Sequence, residues 1–403
     1  MEGDPQPATP ANTRQGGSVV IVGGGFAGLY TALALAQQRH HPPILLIEPQ
    51  KRFLFLPLLY ELLSGELRRW EIAPCYDSLL AGKGVAWLQD RVDRIDTATH
   101  QLHTRGGRSL GYGRLVIACG GEANHFGVPG AAIHSAGFRS LDDVERLQHL
   151  LAELKRERRP LQRLAVVGAG PTGVELACKL GDLVEGAAVV ELIEQGPTLL
   201  PHSHAFCREQ ASQALRRRDV RLRTHTTVTA VEADRLRLAL RSPEAGGSEE
   251  VLPVNGVLWT AGLGFRPPAL HPAPPQDGLG RLRCGPDLRL EGHDDIFVAG
   301  DLAHLSEAED PLPSSAQVAF QQATLLAANL VHSLAGEPLE LFQWNDLGEM
   351  MSLGVGDACL TASGLTLAGP AAFQLRRIAY LTRLPGLSHS LRVAAGWLAD
   401  WRP

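Results

Sequence analysis

An α/β fold with two dinucleotide-binding modules is predicted for this 403-residue chain by three observations. A strand, a glycine turn, a helix and a second strand can be read from Ser18 to Glu48. The same order recurs from Leu161 to Glu194. Both turns spell Gly-x-Gly-x-x-Gly and both second strands end on a glutamate, a combination far more specific than a glycine turn alone. Two Rossmann-like modules in one chain imply two dinucleotides. The length, with 44% hydrophobic residues, suffices for two or three cores.

The first 17 residues are rich in Pro, Gly and small polar residues and are expected to be a disordered lead, without the apolar stretch of a signal peptide. In the first module, Gly23 permits the tight turn, Gly25 lets a pyrophosphate approach the backbone, and Gly28 lets the helix lie close to the sheet. The helix N-terminus then faces the phosphates, and Glu48 can accept hydrogen bonds from an adenosine ribose. The connection from Lys51 to Glu66 is unusually apolar, and Pro57 to Glu61 is expected to start a helix that shapes a cofactor pocket or packs on the core. Short strands follow at Trp87 to Asp96, at Gln101 to Leu110, interrupted by Gly106 and Gly107, and at Arg114 to Ala118. Ser140 to Arg158 reads as a helix whose basic residues are solvated.

In the second module Gly168, Gly170 and Gly173 repeat the turn chemistry and Glu194 supplies the terminal acid. That carboxylate favours NADH over NADPH, although Arg216 to Arg218 leave the choice open. Strands are expected at Val220 to Thr224, Val228 to Glu232 and Arg235 to Arg241. The run from Gly256 to Pro267 is expected to return the chain to its first domain. The strand of His293 to Asp301 ends on an acid placed to hold a flavin ribityl hydroxyl. A helix opening near Ser314 would aim its N-terminus at a reduced flavin. On that helix Gln317 and Gln321 share a face, where they can donate hydrogen bonds to a bound carbonyl.

The net charge of −5 argues against general nucleic-acid binding. The six scattered cysteines show no CxxC or metal-ligand spacing, so neither a dithiol centre nor a metal site is expected. From Gly369 to Pro403, five arginines oppose one aspartate. Leu391, Ala394, Leu398 and Trp401 fall in one helical sector, with Trp397 beside it. Together with Arg376, Arg377, Arg383 and Arg392, this predicts contact with an anionic membrane surface, or else a dimer helix.

With GGGFAG at 23–28, PLLYE at 57–61, GAGPTGVE at 168–175, WTAG at 259–262, AGD at 299–301 and AQVAFQQ at 316–322 in this order, the chain resembles the type II NAD(P)H:quinone oxidoreductases. These are single-subunit, non-proton-pumping NADH dehydrogenases within the two-dinucleotide-binding flavoproteins. The resemblance implies FAD at Gly23, Gly25, Gly28, Glu48 and Asp301, and NADH or NADPH at Gly168, Gly170, Gly173 and Glu194. It places Glu175 near the nicotinamide and flavin, and Gln317 and Gln321 on the quinone side. The domains it implies are FAD-binding at 18–140 and 251–335, NAD(P)H-binding at 141–250, and a membrane-association or dimer region at 336–403. The stretch from Gly348 resembles the cyanobacterial and plastid branch associated with demethylphylloquinone reduction in phylloquinone biosynthesis. Respiratory reduction of plastoquinone or menaquinone is the near alternative, and a soluble ferredoxin or rubredoxin reductase or a redox-sensing flavoprotein the more distant ones. The expected location is peripheral, on the cytoplasmic or stromal side of a membrane such as a cyanobacterial thylakoid or plasma membrane.

Overall fold

In the computed structural model, residues 17–242, 246–306 and 312–400 are described. The lead and Trp401 therefore lie outside the described residues. The chain divides into two compact units, one formed by residues 1–53, 75–122 and 264–345 and the other by 54–74, 123–263 and 346–403.

The first unit is built on a five-stranded parallel sheet in the spatial order Ile296–Val298, Arg114–Ile117, Val19–Val22, Ile44–Ile47 and Val85–Leu88. Val19 pairs with Ile44 on one side and with Arg114 on the other. The strands are short continuous apolar runs because both faces of the sheet are covered. Phe26–Leu35 follows the first strand, and a Cβ on Gly28 would overlap the Gly23 carbonyl oxygen. The 20-residue helix Ala316–Ala335 packs along Phe26–Leu35, capped by Ser315, whose hydroxyl accepts from the Val318 N–H. Expected strand 87–96 is two strands, Val85–Leu88 and Val92–Asp96, the second belonging to a separate sheet.

The second unit holds a four-stranded parallel sheet in the order Arg221–Arg223, Val189–Ile193, Arg163–Val167 and Gly256–Trp259. The last strand corrects an expectation. Gly256 pairs with Leu164 and Trp259 with Val167, so this run completes the second sheet, and the chain re-enters the first unit at Gly264. Its apolar residues fit either parallel sheet, and only pairing decides between them. Within Val189–Ile193 the fully buried Glu191 is held by Arg163 at 2.9 Å and Arg223 at 2.8 Å, which reconciles a carboxylate with a core strand. An antiparallel meander, Thr226–Val231, Arg235–Ser242 and Gly246–Pro253, follows.

Residues 349–400 are more than an amphipathic tail. Glu349–Ser352, Ala358–Ala362 and Leu365–Ala368 form an antiparallel sheet, and helices Pro370–Leu381 and Leu387–Asp400 follow. Ala372 and Phe373 of the first helix pack on Ala358 and Leu360 of the sheet. No helix among the described residues is long and apolar enough to cross a membrane.

Candidate active site

In the first unit the predicted residues converge on the carboxyl edge of the parallel sheet, where ligands of such folds bind. Gly23 has φ +101°, a conformation that glycine adopts at little cost. Gly25 is exposed, caps a helix without help from any side chain, and would carry a Cβ with nothing within 4 Å. The glycine thus leaves open the space a pyrophosphate needs beside the first N–H groups of the helix. Glu48 accepts from the Gly24 N–H at 2.7 Å and the Gln50 N–H at 2.8 Å. Burial raises its carboxyl pKa, and those two backbone donors oppose the rise. Beside it lies an open cleft of about 490 Å³ lined by Pro49, Gln50, Gln89, Asp90, Arg91 and Glu122. Asp301 sits in the turn Gly300–Leu302 after strand Ile296–Val298, on the same sheet edge.

The glutamines separate. Gln317 lies half-buried in the first turn of its helix. Gln321 exchanges hydrogen bonds with the backbone of Asn345, donating at 2.8 Å and accepting at 3.1 Å. Gln322, which the shared-face argument left aside, is 1% exposed and accepts from the Gly300 N–H at 2.7 Å. Phe26, Tyr30, Phe53 and Phe320 form an aromatic cluster around the start of this helix, Tyr30 and Phe320 with centroids 4.2 Å apart.

The second unit repeats the design. Gly168 has φ +101°, a Cβ on Gly170 would meet nothing within 4 Å, and a Cβ on Gly173 would overlap the Gly168 carbonyl oxygen. Glu194 accepts from the Ala169 N–H at 2.8 Å and the Gly196 N–H at 2.7 Å, as Glu48 does from Gly24 and Gln50. Arg216, Arg217 and Arg218 each have a partner of their own: Ser212, Asp357 and Asp182 respectively.

Glu175, on helix Pro171–Leu183, opens a buried polar network within this unit. Its carboxylate accepts from the Ser352 N–H at 2.7 Å, is hydrogen-bonded to the Tyr60 hydroxyl, and lies 3.7 Å from Arg376. Arg376 is fully buried and donates to Glu61 at 2.5 Å and to the Pro57 carbonyl at 2.6 Å, with its guanidinium 4.8 Å from the Tyr380 ring centroid. One guanidinium thus faces two carboxylates. Burial pushes the Glu175 carboxyl up to about 7, although Arg376 and the Ser352 N–H pull it down. For Arg376, burial alone would lower the pKa, but Glu61, Tyr380 and Glu175 together outweigh it and the guanidinium stays charged.

This network overturns one expectation: Arg376 meets Glu61 and Glu175, not lipid headgroups. Arg377 also turns inward, 4.3 Å from the Trp397 ring centroid, and the Trp397 N–H donates to Glu71 at 2.9 Å. Sequence reasoning missed Tyr60, Glu61 and Ser352 as polar partners. A carboxylate within the apolar run Leu58 to Leu63 was the available signal, because a buried acid demands a counter-charge.

The family model for pyridine nucleotide-disulphide oxidoreductases matches residues 17–323. The chain is 40% identical over 396 residues to the demethylphylloquinone reductase NdbB of Synechocystis, covering 95% of this chain and 97% of that protein. It is 35% identical to the alternative NAD(P)H-ubiquinone oxidoreductase C1, chloroplastic/mitochondrial, of Arabidopsis thaliana, covering 94% of this chain and 80% of that one. Its fold matches that of NDH2 from Plasmodium falciparum in complex with NADH, with a TM-score of 0.81 at 18% identity over 95% of this chain and 98% of that one. The glycine turns, strand-end acids and these similarities together assign the chain to the pyridine nucleotide-disulphide oxidoreductase family, as a type II NAD(P)H:quinone oxidoreductase with FAD as cofactor.

Proposed function

We propose that this enzyme is a demethylphylloquinone reductase that prefers NADH and works at an anionic membrane surface. The 40% identity to a demethylphylloquinone reductase, across nearly the full length of both chains, carries the choice of quinone. FAD, when bound, accepts a hydride from NAD(P)H and supplies two electrons to the quinone.

In this reading the first unit holds FAD. The Gly23, Gly25 and Gly28 turn takes the pyrophosphate, Glu48 the adenosine ribose and Asp301 the ribityl chain, and Gln317 stands on the quinone side. The cleft beside Glu48 suits the adenosine end. The second unit holds the pyridine nucleotide at Gly168, Gly170, Gly173 and Glu194. A 2′-phosphate would face the Glu194 carboxylate, and Arg216, Arg217 and Arg218 already have partners, which supports NADH. Glu175 is assigned to the nicotinamide end. Hydride transfer needs no proton from it, and with a pKa of about 7 this carboxyl changes charge near neutral pH.

Leu375 and Ile378 on one C-terminal helix, and Leu387, Leu391 and Leu398 on the next, are exposed, with Arg392 among them. Solvated leucines beside arginine suit the interface of an anionic bilayer, where a lipid quinone resides. The corresponding location is peripheral, on the cytoplasmic or stromal face.

Steady-state comparison of the holoenzyme with NADH and NADPH against demethylphylloquinone, menaquinone and plastoquinone analogues tests the reading. We expect kcat/KM at least tenfold higher with NADH, and demethylphylloquinone to exceed plastoquinone. Plastoquinone reduction at an equal or higher kcat/KM would favour a respiratory role instead.

A further inference from the structure

We propose that Gln322 is a positioning residue for the flavin cofactor, acting through the turn that presents Asp301. This rests on the reading of Asp301 as a flavin contact. Four observations lead to it.

Gln322 is 1% exposed on helix Ala316–Ala335, where its neighbour Gln321 bonds the Asn345 backbone and takes no part in the turn. Its Oε1 accepts from the Gly300 N–H at 2.7 Å, and that donor fixes which end of the amide is oxygen. Gly300 has φ +72° and sits against Ala27, where an added Cβ would lie 3.2 Å from the Ala27 side chain. The turn is therefore gripped between the start of the pyrophosphate-facing helix and Gln322. Finally, the Gln322 Nε2 is buried and has no hydrogen-bond partner among the described residues.

A residue needed only to hold the Gly300 N–H requires an acceptor, not an amide. The amide also brings a buried donor, which is costly to leave unmatched. An acceptor oxygen on the cofactor side of this turn makes sense of both halves of the side chain. With the cofactor bound, Oε1 sets the turn that aims Asp301 and Nε2 gains its partner.

The test is a double-mutant cycle on FAD retention by the holoenzyme, read as the FAD dissociation constant from flavin fluorescence on serial dilution. Gln322→Leu should raise that constant at least tenfold, and Asp301→Ala should raise it as well. In the Asp301→Ala background, Gln322→Leu should raise it by a clearly smaller factor than in the parent, because the route through the turn has gone and only the Nε2 contact remains. Gln322→Met, of similar length and flexibility, supplies the same arm if the leucine variant fails to fold. An unchanged constant in Gln322→Leu, or full additivity of the two substitutions, would overturn the proposal while leaving Asp301 in place. Unchanged retention in Asp301→Ala would remove the Asp301 reading, and the Gln322 route with it.

Discussion

At Glu175 two opposing forces act on one carboxyl. Burial favours the neutral acid, and Arg376 with the Ser352 N–H favours the anion. Burial wins enough to place the folded-state pKa at about 7, above the ordinary glutamate value. Between those two values the native state binds more protons than the unfolded chain, so this group withdraws stability as pH rises. The withdrawal is complete above the folded pKa, with a slope no steeper than about 1.4 kcal/mol per pH unit. Urea midpoints of parent and Glu175→Gln should therefore diverge between pH 5 and 8, the variant losing less stability on going to pH 8. Stopped-flow traces should also show NADH-dependent flavin reduction becoming less sensitive to pH in the variant. The partner residue makes a larger prediction. Arg376→Ala leaves Glu61 and Glu175 buried without their cation, and removing one side of a buried pair costs roughly 3–5 kcal/mol. Chemical denaturation at pH 7.5 should show a loss of that size, and lowering the pH should recover part of it as Glu175 protonates.

The two glycine turns show how an element encodes both space and contact. Gly25 and Gly28 are three residues apart, yet they fail in different ways when substituted. A side chain on Gly25 enters open space, so Gly25→Val should keep the parent circular dichroism spectrum and lose bound FAD, read from the ratio of flavin to protein absorbance. A Cβ on Gly28 overlaps the Gly23 carbonyl oxygen, so Gly28→Ala should lower the melting temperature as well. Such turns are legible in sequence because the backbone itself makes the demand. So is helix Leu141–Glu157, whose Ser140 cap and Asp143 form a capping box. Strand Gly256–Trp259 was legible as a strand but not in its sheet, since an apolar run carries no label for its neighbour. The C-terminal sheet escaped because Glu349–Ser352 and Leu365–Ala368 are too short and mixed to show a period. The partners of Gln321 and Gln322 emerge only in three dimensions, where Asn345 engages one and Gly300 the other. Arg376 lies in a charge-rich segment that reads as surface, and partners distant in sequence, Glu61 first among them, explain its burial.

Over the whole molecule, the C-terminal excess of positive charge divides into a structural and an exposed part. Arg376 completes the network around Glu61, and Arg377 packs on Trp397, so Pro370–Leu381 belongs to the core of its unit. Deleting this segment would orphan two buried carboxylates as well as remove any membrane contact, so truncation cannot separate the two roles. Exposed leucines can. Leu391 and Leu398 are 60% and 68% exposed, on the same helix as the buried Val393, so substituting them should leave packing unchanged. Each apolar side chain moved from water into an interface contributes on the order of 1–2 kcal/mol. The Leu391→Glu, Leu398→Glu double variant should therefore bind vesicles containing an anionic phospholipid at least tenfold more weakly in co-sedimentation, while the parent releases at high salt. Its turnover with a water-soluble quinone should stay within twofold of the parent, and turnover with quinone embedded in those vesicles should fall with binding. If vesicle binding and lipid-quinone turnover persist in the double variant and its oligomeric state falls in sedimentation, the leucine face is a dimer contact and the membrane assignment is withdrawn.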